Sequence, residues 1–188
     1  MTVVDDRLTR VFAQLDVPEG VKAELIRGEI VMMAGPDLVH NWIIESVQDQ
    51  IPRTRWHRVQ TQDIAIPAEA SEPQPDLVVF ERGAVEGPGR LIPSEAVTAV
   101  VEVVSRTSSG RDYRDKREIY GAGGVPVYLI VDPIEARCVL LTEPLPRGES
   151  GPGGYRTERT SKFGEPVPIP ELDLTLDTGE FQTISAAP

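Results

Sequence analysis

Apolar and polar residues follow two periods along this chain, and the period switches where Gly and Pro punctuate it. Leu8, Val11, Phe12 and Leu15 recur at helical spacing over residues 5–15, ahead of Pro18-Glu19-Gly20, and predict a short helix in an N-terminal cap spanning 1–20. Val21–Ile26 and residues 29–33 read as strands around Arg27-Gly28, where Gly supplies the positive φ of a hairpin turn. Asp37, after Gly35-Pro36, is placed to cap a helix running to about Gln50, with Leu38, Trp42, Ile43 and Val47 on its apolar stripe. Residues 56–67 alternate over short β-like stretches. A polar, Pro-containing approach over 69–75 then leads into a strand at 76–80, so Asp76 lies at a strand start.

A Gly- and Pro-rich loop over 81–93 precedes the run Val97-Thr98-Ala99-Val100-Val101-Glu102-Val103-Val104, which reads as a strand buried on both faces. A polar turn follows at 105–110, where Ser108 or Ser109 is placed to cap a helix over about 112–122 that ends at Gly123-Gly124. The apolar strand 127–131 closes at Asp132-Pro133 and completes a strand-helix-strand unit. A further strand at 137–142, a flexible loop over 143–154, short β-like pieces and a frayed tail at 185–188 finish the chain. These elements predict an α/β fold, a single domain over 1–188 with a central mixed β-sheet flanked by helices.

Composition narrows the picture. A chain of 188 residues buries roughly 70% of its unfolded surface on folding, enough for one core without staples. Cys138 is the only cysteine, which excludes a disulfide framework, paired Cys metal ligands and a Cys-based redox motif. No stretch approaches about 18 apolar residues, and the first residues lack a signal-like apolar core, so a soluble, cytoplasmic protein with no membrane partner is expected. The net charge of −11 argues against coating nucleic acid by bulk electrostatics. Local contacts remain open, because Arg53, Arg55, His57 and Arg58 form one basic cluster and Arg106, Arg111, Arg114, Lys116 and Arg117 another; either is also readable as a solvated face.

The candidate chemistry starts from Glu102. An ionised carboxylate inside a Val-rich strand has no easy route to water, and left unpaired it costs several kcal/mol, so a cation must lie close by. Tyr113, Lys116 and Tyr120 sit three and four apart on the following helix and share the stripe expected to face the sheet, which points Lys116 inward. The bland alternative is a surface pair of Asp112 with Lys116 at four-residue spacing. Asp76 and Glu102 from neighbouring strands make an oxygen-rich pocket suited to Mg²⁺ or Mn²⁺, able to activate water for phosphodiester hydrolysis while a lysine offsets charge. Taken alone, Asp76 also reads as a turn residue, Glu24 as a solvated acid before a turn, and His40 as a satisfied or exposed imidazole.

The ordered set Ala23-Glu24-Leu25-Ile26-Arg27-Gly28-Glu29-Ile30, His40, Pro75-Asp76-Leu77-Val78-Val79, Val101-Glu102-Val103-Val104-Ser105, Asp112, Lys116, Tyr120 and Gly124-Val125-Pro126-Val127-Tyr128-Leu129-Ile130-Val131-Asp132-Pro133 resembles the Uma-two family, restriction-type endonucleases of the PD-(D/E)XK superfamily. The resemblance runs over residues 21–133. It implies a restriction-endonuclease-like fold in which Asp76 and Glu102 bind the divalent ion, the Val103 carbonyl adds a ligand, Lys116 is the catalytic lysine, and Glu24 and His40 stand at the edge of the site. The superfamily pattern departs at Val104, two residues after Glu102, where a lysine would stand; the lysine then comes from the next helix. Ala23, Arg27 and Arg106 also depart from the usual family residues.

The expected function is a Mg²⁺- or Mn²⁺-dependent endonuclease acting on DNA, for which a homodimer would suit two-strand cleavage. Two alternatives stand beside it. In one, a non-catalytic nucleic-acid-binding or assembly module keeps Glu102 and Lys116 as a buried ion pair; in the other, the carboxylates act on a glycoside, which leaves Lys116 without a role.

Overall fold

The structure of the protein, a computed structural model, describes residues 6–148 and 151–184. Helix α1 (Asp6–Ala13) packs on a hairpin of β1 (Val21–Ile26) and β2 (Glu29–Ala34), and α2 (Leu38–Gln50) follows. Then come β3 (Trp56–Val59), β4 (Asp63–Ala65), β5 (Leu77–Glu81), β6 (Leu91–Pro93) and β7 (Ala99–Val103). Helix α3 (Lys116–Ala122) leads to β8 (Val127–Asp132), β9 (Arg137–Leu145), β10 (Gly154–Lys162), β11 (Val167–Ile169) and β12 (Leu174–Leu176). The central sheet has six strands in the order β10-β9-β8-β7-β5-β3. Its one parallel pair is β7 with β8, joined across α3, as the strand-helix-strand pattern requires. No helix among the described residues is long and apolar enough to cross a membrane.

Period-two alternation in the central strands sorts their side chains into two apolar layers. Leu77, Val79, Ala99, Val101, Val103, Val127 and Leu129 face α2 and the β11–β12 hairpin, where Ile43, Ile44, Val47, Ile169 and Leu176 cover them. Val78, Val100, Tyr128 and Ile130 face the other way, onto Ile119 and Tyr120 of α3 and onto Ile26 of the hairpin. Glu102 is in phase with Val100 and Val104, so it emerges on the α3 side; the strand's own alternation aims it at Lys116.

Several elements differ from the sequence reading. The helix expected over 112–122 is split: a π-helical turn, Arg111–Asp115, precedes α3. Tyr113, in that wider turn, is half-buried against the layer that holds Ile119 and Tyr120, and its hydroxyl donates to Asp132 Oδ2 at 2.7 Å. Neither Ser108 nor Ser109 caps a backbone N–H there; the N-cap is Gly110, and Ser108 Oγ donates to Asp112 instead. On α2, Leu38 and Trp42 are 59% and 43% exposed, while the core positions are Ile43, Ile44 and Val47. Strand β9 runs on to Leu145, which leaves 146–153 as its connection to β10. The tail at 185–188 lies outside the described residues.

Helix α3 approaches β10 so closely that a Cβ on Gly121 would fall on the Gly154 carbonyl oxygen, a backbone atom that cannot swing away. Gly121→Ala is therefore expected to cost about 1–3 kcal/mol or more, as overpacking does. Urea denaturation of the two proteins measures it; an unchanged midpoint would show that α3 has slack against β10.

Candidate active site

Five elements, β1, α2, β5, β7 and α3, converge at one end of the parallel strands. The antiparallel register Leu77↔Val101 brings Asp76, just ahead of β5, beside the end of β7, where Val103 N–H donates to Asp76 Oδ2 at 2.8 Å. Asp37 caps α2 by accepting the backbone N–H of His40 at 2.9 Å, which fixes the first turn so that His40 Nε2 reaches Asp76 Oδ2, also at 2.9 Å. On β1, Ala23 and Leu25 face α1, so Lys22 and Glu24 occupy the opposite face and point toward the sheet. Lys22 Nζ lies 3.1 Å from Asp76 Oδ1 and 3.8 Å from Glu24 Oε1.

The centre of the cluster is Lys116. Its ammonium lies 2.7 Å from Glu102 Oε1, 3.0 Å from Glu24 Oε1 and 3.8 Å from Asp112 Oδ1, and the residue is 2% exposed. Tyr120 OH donates to the same Glu102 oxygen at 2.7 Å, and the Gln74 amide donates to Glu24 at 2.8 Å. The five side chains singled out in the sequence, Asp76, Glu102, Lys116, Glu24 and His40, thus belong to one connected network, with Lys22 as the bridge between its halves. Two expectations about individual residues are corrected. Glu24 is wholly buried where a solvated acid was the residue-level reading, and the Asp112–Lys116 pair exists as an interior contact, not a surface one.

Burial and charge set the protonation of the cluster. Burial is the larger influence on Glu102, and with Asp76 and Asp112 nearby it pushes the carboxyl up to about 8 against the pull of Lys116. Burial alone would raise Asp76 too, but Lys22 and then His40 hold it well below the usual carboxylate range. Lys116, opposed by its own desolvation, is raised well above the ordinary lysine value by Glu102, Glu24 and Asp112, and so stays charged. Burial likewise raises Asp112.

A pocket of about 130 Å³ opens onto this cluster, lined by Lys22, His40, Asp76, Glu102, Val103, Asp112 and Lys116 among others. The fit to a divalent cation is a matter of donors and charge. Among the described residues no three His, Cys, Asp or Glu side chains surround one common point. Mg²⁺ does not need that, because it commonly takes one or two carboxylates and keeps its waters. Four carboxylates here face two ammonium groups, a net charge of −2 when all are ionised. Two of the buried oxygens, Glu24 Oε2 and Asp112 Oδ1, have no hydrogen-bond partner among the described residues. The donor set therefore suits a hard divalent ion.

Sequence reasoning passed over Lys22 and gave Asp112 no role in the site. The signal for Lys22 was present: two residues before Glu24 in a strand is the same face. The π-turn that brings Asp112 inside left no such trace. The basic clusters are partly consumed by structure: Arg58 donates to the Gln48 and Ile51 carbonyls at the end of α2, Arg117 pairs with Glu158, and Arg111 reaches Thr107 and Met33 at the pocket wall.

Fold and site together define an α/β domain with a mixed sheet and an acidic, lysine-bearing pocket where its central strands end. The chain belongs to the Uma2 family, described as "Putative restriction endonuclease", which matches residues 10–178. Among solved structures it is similar to one from Anabaena variabilis, described as a putative nuclease belonging to DUF820. The two share 16% identity and a TM-score of 0.68, with 90% of this chain and 94% of that one covered, a likeness of fold. No curated protein matches the chain.

Because the folded-state value of Glu102 is raised from an ordinary 4.5 to about 8, its contribution favours folding below the ordinary value and is lost as pH rises through about 8. Glu102→Gln removes that titration. Urea denaturation between pH 6 and 9 is expected to show wild type losing stability faster than the variant; parallel profiles would place the proton elsewhere in the cluster.

Proposed function

We propose that this protein is a Mg²⁺- or Mn²⁺-dependent endonuclease that hydrolyses phosphodiester bonds in DNA. The observation that carries the reading is the juxtaposition of Asp76, Glu102 and Lys116 at the wall of one pocket, in a chain of a restriction-endonuclease family. Asp76 and Glu102 would hold the ion, with the carbonyl of Val103 beside them. Bound there, a divalent ion lowers the pKa of its water and offsets charge growing on the leaving oxygen.

The chain's own residues do the rest. Lys116 and Tyr120 both donate to Glu102 Oε1 and so fix the rotation of that carboxylate, leaving its other oxygen for the pocket. His40 and the Val103 amide orient Asp76 in the same way. Pre-set donors of this kind need little reorganisation when charge develops, which is where such sites gain most of their rate. Arg111, which contacts Met33 and Thr107 of the pocket lining, adds positive charge near where a phosphate backbone would approach.

A second reading rests on the depth of Lys116. Held by three carboxylates and scarcely exposed, it also suits a static ion pair in a non-catalytic binding module. Supercoiled plasmid separates the two. Wild type is expected to nick it with Mg²⁺ or Mn²⁺ and not with a chelator, and Asp76→Asn should be slower by about 10²-fold or more while its circular dichroism stays native. Absence of nicking with either metal, or an undiminished rate in Asp76→Asn, sinks the nuclease assignment in favour of the binding module.

A further inference from the structure

Asp76 is saturated. Oδ1 takes Lys22 Nζ at 3.1 Å, and Oδ2 takes both His40 Nε2 at 2.9 Å and the Val103 amide at 2.8 Å. A divalent ion on Oδ1 would stand against the Lys22 ammonium on the same oxygen, and like charges that close repel, so on the metal-centre reading above, on which this inference rests, a displaceable donor leaves. The Val103 amide is fixed in a central strand, and His40 is held in the first turn of α2 by the Asp37 cap. Lys22 differs from both: its charge rides on a flexible four-carbon stem and it lines the open pocket, with its side chain 15% exposed.

A second berth lies within reach. Glu24, two residues along the same face of β1, has Oε1 3.8 Å from Lys22 Nζ. Its other oxygen, Oε2, is buried and has no hydrogen-bond partner among the described residues. A buried acceptor left unmatched in one state of a site is accounted for if another state supplies its donor.

We propose that Lys22 is a two-position gate at the metal centre: its ammonium occupies Asp76 while no divalent ion is present and passes to Glu24 when one binds. In both states each carboxylate keeps a cationic partner, so loading and unloading never expose a bare buried charge. The arrangement lowers metal affinity by the work of displacing Lys22, and it places the lysine beside the ion at the pocket wall.

The test uses the full chain with Mn²⁺ and Mg²⁺ alone. Calorimetry is expected to give Mn²⁺ binding at least about tenfold tighter in Lys22→Met than in wild type, and none in Asp76→Asn. Lost charge repulsion would also tighten binding, so the deciding readout is the side-chain NMR resonance of Lys22 in the wild-type protein, which moves on saturation with Mg²⁺ if the ammonium changes partner. It requires no variant to fold. Binding that is unchanged or weaker in a natively folded Lys22→Met, or a Lys22 resonance that stays put while Mg²⁺ saturates, overturns the gate and leaves the metal centre standing. No binding of either ion by wild type overturns both.

Discussion

The rest of the site depends on one ammonium. Lys116 is enclosed by Glu24, Glu102 and Asp112, each brought by a different part of the chain: the hairpin, the central strand and the π-turn. Three carboxylates cannot be buried together without it, since removing one partner from an interior ion pair commonly costs about 3–5 kcal/mol. The converse holds as well, because the lysine would not tolerate a 2% exposed position without the acids. Strand phase, the parallel crossover and the close seating of α3 on β10 all serve to hold that one group where three elements meet.

Asp76 organises the other half of the site in the opposite electrostatic sense. It is one carboxylate among three donors, where Lys116 is one ammonium among three carboxylates. That polarity explains how a protein of net charge −11 can belong to a family of restriction endonucleases. Surface charges farther away than about 8 Å are largely screened at physiological salt, so the field at the pocket is set by the groups that line it, Lys22 and Lys116 among them, and not by the total.

Much of this was legible in the sequence because it depends on periodicity. Glu102 in a valine run, Lys116 and Tyr120 four apart, and Asp76 ahead of a strand are local patterns whose spatial consequence follows from the pleat and the helical turn. The central mixed sheet and its parallel pair were readable for the same reason. What escaped was set by tertiary contact. The π-turn at Arg111–Asp115 has no sequence signature of its own, yet it draws Asp112 inside and sends Tyr113 to Asp132. The exposure of Leu38 and Trp42 reflects which face of α2 the sheet chose, and period alone does not choose between Leu38–Trp42 and Ile43–Ile44–Val47.

The β1–β2 hairpin is not a member of the six-stranded sheet; it is tied to the body through Leu25 with Glu72, Gly28 with Ala70, and Arg27 with Ser71. Yet it carries Lys22 and Glu24. The charged cluster is therefore modular in its assembly: a core framework supplies Asp76, Glu102 and Lys116, and a peripheral hairpin adds Lys22 and Glu24. Inheritance can act on the two parts separately, retuning the hairpin's pair of residues for affinity or timing while the framework, committed to packing, stays as it is.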